Sequence, residues 1–211
     1  MTDAIVKTVT PKGELRWVTI TGEGKENMSG AMQYKADIIL DPTNDPVHQA
    51  YIDKIDTFWE ENKPKGHKRK PKSLGYYLCD KVLDANGDPV KDDEDMFVYQ
   101  KDGKVSVSFK TATTFPDGSA KKVTTRNAKG AEVNLGDTMI GNGSMGYLAG
   151  AMDIYSHKAN AGVTLYLDAI KLTKLEVFGG ANPFAETEDD EDGWTGEDED
   201  EFVETTDKPR L

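Results

Sequence analysis

The sequence predicts an all-β domain, either a barrel or a sandwich, with one amphipathic helix. Seven segments are rich in β-branched and aromatic residues or alternate apolar with polar side chains, as strands do. Only one stretch has helical spacing, and strands do not alternate with helices as they would in a parallel α/β sheet. Hydrophobic residues make up 36% of the chain, which suffices for a core if they are concentrated in these segments.

The first three predicted elements are two strands and a helix. The strands cover residues 14–21 and 31–40, and the glycine-rich connection between them is too long for a tight hairpin. A helix is predicted at residues 46–62, because Asp45 and Pro46 form an N-cap followed by a proline at the first helical position. Apolar residues then follow at helical spacing, namely Val47, Tyr51, Ile55, Phe58 and Trp59.

The other predicted strands occupy the second half of the domain. A strand at residues 75–82 is followed by an acidic turn region at residues 85–95. Alternation is strongest at residues 104–114, where Val105, Val107 and Phe109 share one face. The last three predicted strands are residues 121–127, 141–155 and 162–178.

Charge divides the chain into two parts. Residues 185–211 contain 13 acidic and 2 basic residues, a net charge of −11, whereas the other 184 residues carry a net charge of −1. So dense a polyanion repels itself and has little to bury, and we expect it to be disordered. The sequence therefore predicts a nearly neutral domain at residues 1–178 and a disordered acidic tail at residues 179–211.

No motif in the sequence indicates an enzyme. His48, His67 and His157 lie far apart and match no metal or triad spacing. The single cysteine, Cys79, lies among strand residues and is interpreted as a small buried side chain. Walker, HExxH and GxSxG motifs are absent. We therefore predict no catalytic residue, no metal site and no cofactor.

The glycine-rich run at residues 141–146 could be mistaken for a phosphate-binding loop. It lacks the following lysine and helix, so we interpret its glycines as a bend or a close approach of strands. No stretch approaches the ~18 apolar residues of a membrane helix, and residues 1–7 lack the regions of a signal peptide. The single cysteine allows no internal disulfide, so a reducing, cytoplasmic setting is expected, without membrane contact.

Basic residues with neighbouring rings indicate a nucleic-acid surface. Residues 63–72 hold six lysines and arginines in ten positions, and such patches bind a polyanionic backbone by releasing its counterions. Aromatic residues beside lysines and arginines supply surfaces on which the bases of a single strand can stack. The alternatives are a merely solvated loop and rings that fill the core. The candidate DNA-binding residues are Arg16, Trp17, Tyr34, Lys35, Lys63, Lys65, Lys68, Arg69, Lys70, Lys72, Tyr76, Tyr77, Lys110, Lys121, Lys122 and Arg126.

Several segments resemble phage single-stranded-DNA-binding proteins. Residues 141–150 (GNGSMGYLAG) and 161–175 (AGVTLYLDAIKLTKL) are similar to the C-terminal strands of that family, and residues 104–114 and the acidic tail fit it too. The resemblance implies an OB-fold, a five-stranded Greek-key barrel that binds single-stranded DNA during phage replication and recombination. It also implies a tail that contacts replication proteins, such as a polymerase, helicase or nuclease.

The tail carries two large apolar rings, Trp194 and Phe202, among its acidic residues. A tail that only aids solubility, which is the alternative, has no need of such rings. Related tails often end in acidic residues and an aromatic, whereas this one ends with residues 208–211 (KPRL). We therefore predict that Trp194 and Phe202 are the partner-binding anchors, and that the tail competes with DNA for the domain's basic groove.

Two other functions remain open at this point. An acidic interaction protein could use the tail to mimic DNA or to recruit a host factor, without nucleic-acid affinity of its own. A phage structural or head-associated protein is the weaker alternative. The sequence leaves open whether the chain forms a homo-oligomer.

Overall fold

The computed structural model describes residues 5–27, 29–67, 71, 73–136, 138–157 and 160–178. Within them the chain forms nine strands and one helix. The elements are β1 (Val6–Val9), β2 (Gly13–Thr19), β3 (Lys25–Glu26), β4 (Met32–Leu40), α1 (Pro46–Asn62), β5 (Tyr76–Leu78), β6 (Val105–Ala112), β7 (Thr124–Arg126), β8 (Ser144–His157) and β9 (Asn160–Lys174).

Five of the strands close into a ring. Strands β8, β2, β4, β6 and β9 pair in that order, and β9 pairs again with β8. All of these pairings are antiparallel except that of β6 with β9, which is parallel. Five strands in this order, with one parallel seam, make an OB-fold barrel. The predicted all-β, OB-like fold with one inserted helix is confirmed.

The core follows from strand alternation, because successive side chains point to opposite faces of a sheet. In β6, Val105, Val107 and Phe109 point into the barrel as predicted, whereas Ser108 and Lys110 point outwards. The paired strand β4 sends its own alternate residues inwards, namely Tyr34, Ala36, Ile38 and Leu40. The opposite side of these two strands is consequently a polar surface.

Helix α1 has the bounds that the sequence predicts. The Asp45 carboxylate accepts a hydrogen bond from the Val47 backbone N–H at 2.8 Å, which satisfies a free donor of the first turn. At the other end, the Lys63 N–H donates to the carbonyl of Trp59. One face of the helix is buried in the barrel core through Tyr51, Ile52, Ile55, Phe58 and Trp59.

Two glycines allow β8 and β9 to approach each other closely. A Cβ atom at Gly146 would collide with the carbonyl oxygen of Lys171, and one at Gly150 with that of Tyr166. The register between the strands shifts at both glycines, as it does where a barrel strand bends. Gly146, which ends the glycine-rich run, therefore serves strand packing, as predicted for the run.

Some elements differ from the prediction. β1 and β3 were not expected, and β5 ends at Leu78 because the chain then enters an arm, residues 80–104. Three short segments of the arm pair with one another through single bridges, namely Lys81 with Tyr99, Leu83 with Pro89 and Lys91 with Phe97. Within the described residues, no helix has the length and apolarity that crossing a membrane requires.

Candidate nucleic-acid interface

The polar surface of the barrel runs across β2, β4 and β6, and we refer to it as the outer face. Strand register places Arg16 opposite Asp37, and Asp37 opposite Ser108. The next outward pair along the strands is Lys35 with Lys110. The outer face therefore combines cations, hydroxyls and two carboxylates, Asp37 and Glu14, on three neighbouring strands.

Three lysines border one groove of the outer face. Lys35 and Lys110 are direct cross-strand partners, and Lys25 of β3 is opposite Gln33 of β4. These residues line a groove of about 590 Å³. Like charges directly opposite each other destabilise a sheet. The charge of Lys35 is offset by Asp37, whose carboxylate lies 3.2 Å from its Nζ, whereas Lys110 has no ion-pair partner among the described residues.

Trp17 presents its indole ring at one side of this groove. The residue is 51% exposed and lies at a register irregularity in β2, with φ of 49°. Its backbone N–H donates to Asn142 Oδ1 at 2.9 Å, and this hydrogen bond supports the irregular part of β2. Lys35 Nζ is 6.0 Å from the centroid of the indole ring, the outer limit for a cation–π contact. Trp17 and Phe178 line an adjoining groove that shares Lys25 and Lys35 with the first.

Three tyrosines surround a second groove, also of about 590 Å³, on the other side of Lys110. Tyr166 of β9 is the register partner of Lys110 across the parallel seam. Tyr155 lies against Gly162, whose missing Cβ leaves room for its ring. Tyr77 of β5 completes the groove beside Ser108. Cation and rings thus alternate across the outer face.

Tyr77 is held at its hydroxyl. The hydroxyl donates to Asp37 Oδ2 at 2.9 Å, while the residue remains 46% exposed. Burial of the hydroxyl raises the pKa of Tyr77 to about 12, and the charge of Asp37 adds to the shift. The phenol therefore stays protonated at neutral pH and keeps this bond.

No protein-family model and no curated protein sequence matches the chain, but several solved structures do. The crystal structure of gp2.5, a single-stranded DNA binding protein encoded by bacteriophage T7, is 20% identical with a TM-score of 0.52, covering 90% of this chain and 98% of that chain. The single-stranded DNA-binding protein of bacteriophage Enc34, in complex with single-stranded DNA, is 12% identical with a TM-score of 0.56, covering 81% and 87% of the two chains. A C-terminal truncation of the Enc34 protein gives 15% identity, a TM-score of 0.55 and coverage of 82% and 88%.

The chain has the fold of these phage proteins. In an OB-fold, the face of the second and third barrel strands and the loop between the first two strands bind oligonucleotides. Here those strands are β4 and β6, and that loop, residues 20–31, carries Lys25. The lysine groove therefore lies at the usual ligand face of this fold.

Two of the predicted stacking residues are not on the outer face of this OB-fold. Tyr34 is 9% exposed in the barrel interior, where its hydroxyl donates to the carbonyl of Gly22 at 3.0 Å. Tyr76 packs against the core, and its hydroxyl donates to Asp56 of α1 at 2.8 Å. Both rings are in phase with core residues of their strands, so their assignment as open stacking platforms was wrong.

Three of the predicted DNA-binding cations make contacts away from the outer face of the OB-fold. Lys121 donates to the hydroxyl of Thr111 at 2.6 Å, and Lys122 pairs with Glu132 at 3.6 Å. Arg126 of β7 donates to the carbonyl of Gly130 at 2.9 Å. None of the three lines the two grooves of the outer face.

The remaining candidates are divided between three places. Arg16 lies on the outer face, where it pairs with Glu14 at 2.8 Å. Lys63, at the end of α1, pairs with Glu60, and Lys65 is exposed in the loop that follows. Lys68, Arg69, Lys70 and Lys72 lie outside the described residues, as do Trp194 and Phe202 of the tail.

Sequence reasoning missed Lys25, Tyr155 and Tyr166. The outward position of Tyr166 could have been predicted, because it alternates with Leu165 and Leu167, which point into the core. Tyr155 ends a predicted strand, and its role depends on Gly162 across the hairpin. Lys25 gains its place only through pairing of the short strand β3 with β4.

His48, His67 and Cys79 make contacts that support the fold. His48 Nδ1 accepts a hydrogen bond from the Asp41 N–H at 2.9 Å, which ties α1 to the end of β4. His67 packs edge-on against Trp59, with ring centroids 5.6 Å apart. Cys79 is half-buried, and this burial raises the pKa of its thiol. Among the described residues, no group of three or more His, Cys, Asp or Glu side chains is arranged to hold a metal.

Proposed function

We propose that the domain binds single-stranded DNA, without enzymatic activity, along the outer face of β2, β4 and β6. The observation that carries the proposal is the direct pairing of Lys35 with Lys110. Two cations on facing strand positions concentrate positive charge on the outer face, which attracts a polyanionic backbone. Lys25 adds a third positive charge to the same groove, and the three together outweigh the single negative charge of Glu26 in its lining.

Exposed rings on both sides of the lysines favour single strands over duplex. Trp17 lies on one side, and Tyr77 and Tyr166 lie on the other. Bases stack on such rings only when they are not already stacked in a double helix, and this contact tolerates any base. Rings and lysines together therefore suit a site that grips DNA without strong sequence preference.

The fold and the sequence extend the proposal to a biological setting. A solved structure with the same fold contains single-stranded DNA, and another is a phage-encoded single-stranded DNA binding protein. We propose that this chain acts in phage DNA replication and recombination in the infected cell. Its acidic tail would contact replication proteins through Trp194 and Phe202 and compete with DNA for the outer face.

A binding assay with charge-neutralised variants tests this proposal. Lys35→Gln with Lys110→Gln should weaken binding of a fluorescent oligonucleotide, measured by anisotropy, and flatten its dependence on salt. The matched control is Lys7→Gln with Lys54→Gln, which removes the same charge from β1 and α1. Equal losses in both doubles would point to net charge alone, and wild-type protein without affinity would favour the acidic interaction protein.

A further inference from the structure

Asp37 is a buried carboxylate at the centre of the outer face. It lies on β4 between Arg16 of β2 and Ser108 of β6, and its side chain points to the side on which DNA is proposed to bind. Nevertheless the residue is 0% exposed. A negative charge here is unexpected in a surface for phosphates, and burying it costs free energy unless donors surround it.

Four donors surround the Asp37 carboxylate. Ser108 Oγ donates to Oδ1 at 2.8 Å, and Ser106 Oγ donates to Oδ2 at 3.4 Å. The other two donors belong to the proposed DNA contacts: the Tyr77 hydroxyl at 2.9 Å and Lys35 Nζ at 3.2 Å, both to Oδ2. A single carboxylate thus holds one stacking ring and one cation of the site.

The lysines of the groove consequently differ in their state before DNA arrives. Lys35 is already paired with Asp37 and directed towards the ring of Trp17. Lys25 and Lys110 have no ion-pair partner among the described residues. A lysine that is already paired with a fixed carboxylate neutralises a phosphate less completely, so it displaces fewer of the cations condensed on the DNA backbone.

We propose that Asp37 is a positioning residue of the DNA site, which fixes Lys35 beside Trp17 and Tyr77 beside Ser108. Lys35 and Tyr77 then serve mainly the bases, while Lys25 and Lys110 serve the phosphates. This inference rests on the proposed function. Its physical basis is preorganisation, because side chains that are ordered before binding lose less conformational entropy when DNA arrives.

The Asp37→Asn variant distinguishes a positioning role from a purely electrostatic one, because the two roles predict opposite changes in DNA affinity. The variant keeps the size of the side chain and removes one negative charge from the site. If Asp37 acted only through its charge, the variant would bind the oligonucleotide more tightly. Positioning instead predicts affinity several-fold weaker, with a salt dependence steeper by up to about 0.7 in log–log slope, because the released Lys35 becomes available to a phosphate.

Tyr77→Phe provides a second test that does not depend on a buried substitution. It removes only the hydroxyl that Asp37 holds, and the ring remains half exposed. We expect weaker DNA binding by a folded protein, whose melting temperature should fall somewhat because the buried carboxylate loses one of its four donors. The double variant with Asp37→Asn should lose less affinity than the two single losses together, because both changes release the same ring.

These experiments distinguish failure of the positioning role of Asp37 from failure of the proposed DNA binding. Absence of binding by the wild-type protein would refute DNA binding itself. Spectrophotometric titration without DNA shows independently whether Asp37 holds the phenol, since the pKa of Tyr77 should fall in Asp37→Asn. Tighter or unchanged binding by folded Asp37→Asn would overturn the inference, and so would normal binding by Tyr77→Phe. If Asp37→Asn fails to fold, Tyr77→Phe decides alone.

Discussion

Trp17 combines an exposed aromatic ring with a backbone conformation that bulky residues rarely adopt. Its φ of 49° lies in the left-handed region, where a non-glycine residue costs about 1–3 kcal/mol. The hydrogen bond to Asn142 and the irregular pairing of β2 hold it there. Such strain persists where the surrounding structure imposes it, and here it places a large ring beside the lysine groove.

Replacing Trp17 should therefore weaken DNA binding, while the stability of each variant should depend on how well the new residue tolerates a positive φ. Trp17→Gly should weaken single-stranded-DNA binding by about 1–3 kcal/mol, the contribution of one stacked base. The same variant should unfold at a denaturant concentration no lower than Trp17→Ala, because glycine adopts a positive φ without strain. Anisotropy titrations and urea denaturation of both variants measure this. Normal affinity in both variants would remove Trp17 from the site.

Strand parity explains the position of most of the predicted rings, but not that of Trp17. Tyr77 is out of phase with Tyr76 and Leu78, which pack against the core, and it is exposed. Trp17 is in phase with the buried Leu15, so a regular strand would turn it inwards, and the register irregularity in β2 exposes it instead.

The burial of Tyr34 could have been predicted from the sequence, because it is in phase with Ala36 and Ile38, which are core residues. The facing pair of Lys35 with Lys110 could not have been predicted, because it depends on the register between β4 and β6, which no local pattern specifies.

Helix α1 is the element that local sequence determines most completely. Its cap at Asp45, its first-turn proline and its apolar stripe are all local signals, and they give the observed bounds. β1 and β3 are short, so they exist as strands only through pairing with β8 and β4. Short strands of this kind depend on tertiary contacts and cannot be read from periodicity.

The packing of α1 against β1 should make the protein sensitive to alkali. Tyr51 of α1 is buried and accepts a hydrogen bond from the Thr8 hydroxyl at 3.3 Å. Burial raises the pKa of Tyr51 to about 12, whereas an unfolded tyrosine titrates near 10. Because only the neutral phenol suits the folded state, its stabilisation is complete below pH 10 and is lost as the pH approaches 12.

Tyr51→Phe tests this dependence without changing the ring. Between pH 10 and 12 the free energy of unfolding of the wild type should fall by on the order of 2 kcal/mol more than that of the variant. Urea denaturation at a series of pH values measures the difference. The control is the comparison of both proteins at pH 8, where the phenol is neutral. Parallel profiles for the two proteins would contradict the assignment.

Charge is distributed unevenly at the scale of the whole molecule. Removing residues 185–211 changes the net charge from −12 to −1. A tethered anion competes for a cationic groove at an effective concentration of up to roughly millimolar. Salt weakens that competition, because the attraction is Coulombic.

Truncation at residue 184 should therefore tighten single-stranded-DNA binding, most strongly at low salt, while leaving the melting temperature nearly unchanged. Anisotropy titrations at several salt concentrations and thermal denaturation measure the two effects. Trp194→Ala with Phe202→Ala is the matched control, since it keeps the charge of the tail; it should retain the competition and lose affinity for partner proteins. Weaker binding by the truncated protein at every salt concentration would show instead that the tail is part of the DNA site.

The parallel seam between β6 and β9 also has a consequence for the timing of folding. It joins Phe109 to Leu165 and Lys110 to Tyr166, residues 56 positions apart in the chain, whereas the β8–β9 hairpin is local. Non-local pairings of this kind form late, because the intervening chain must first be ordered. Lys110 and Tyr166 therefore meet only after β9 has left the ribosome. We therefore expect the groove between Lys110 and Tyr166 to be completed only at the end of synthesis, so that the proposed DNA site is the last part of the domain to be assembled.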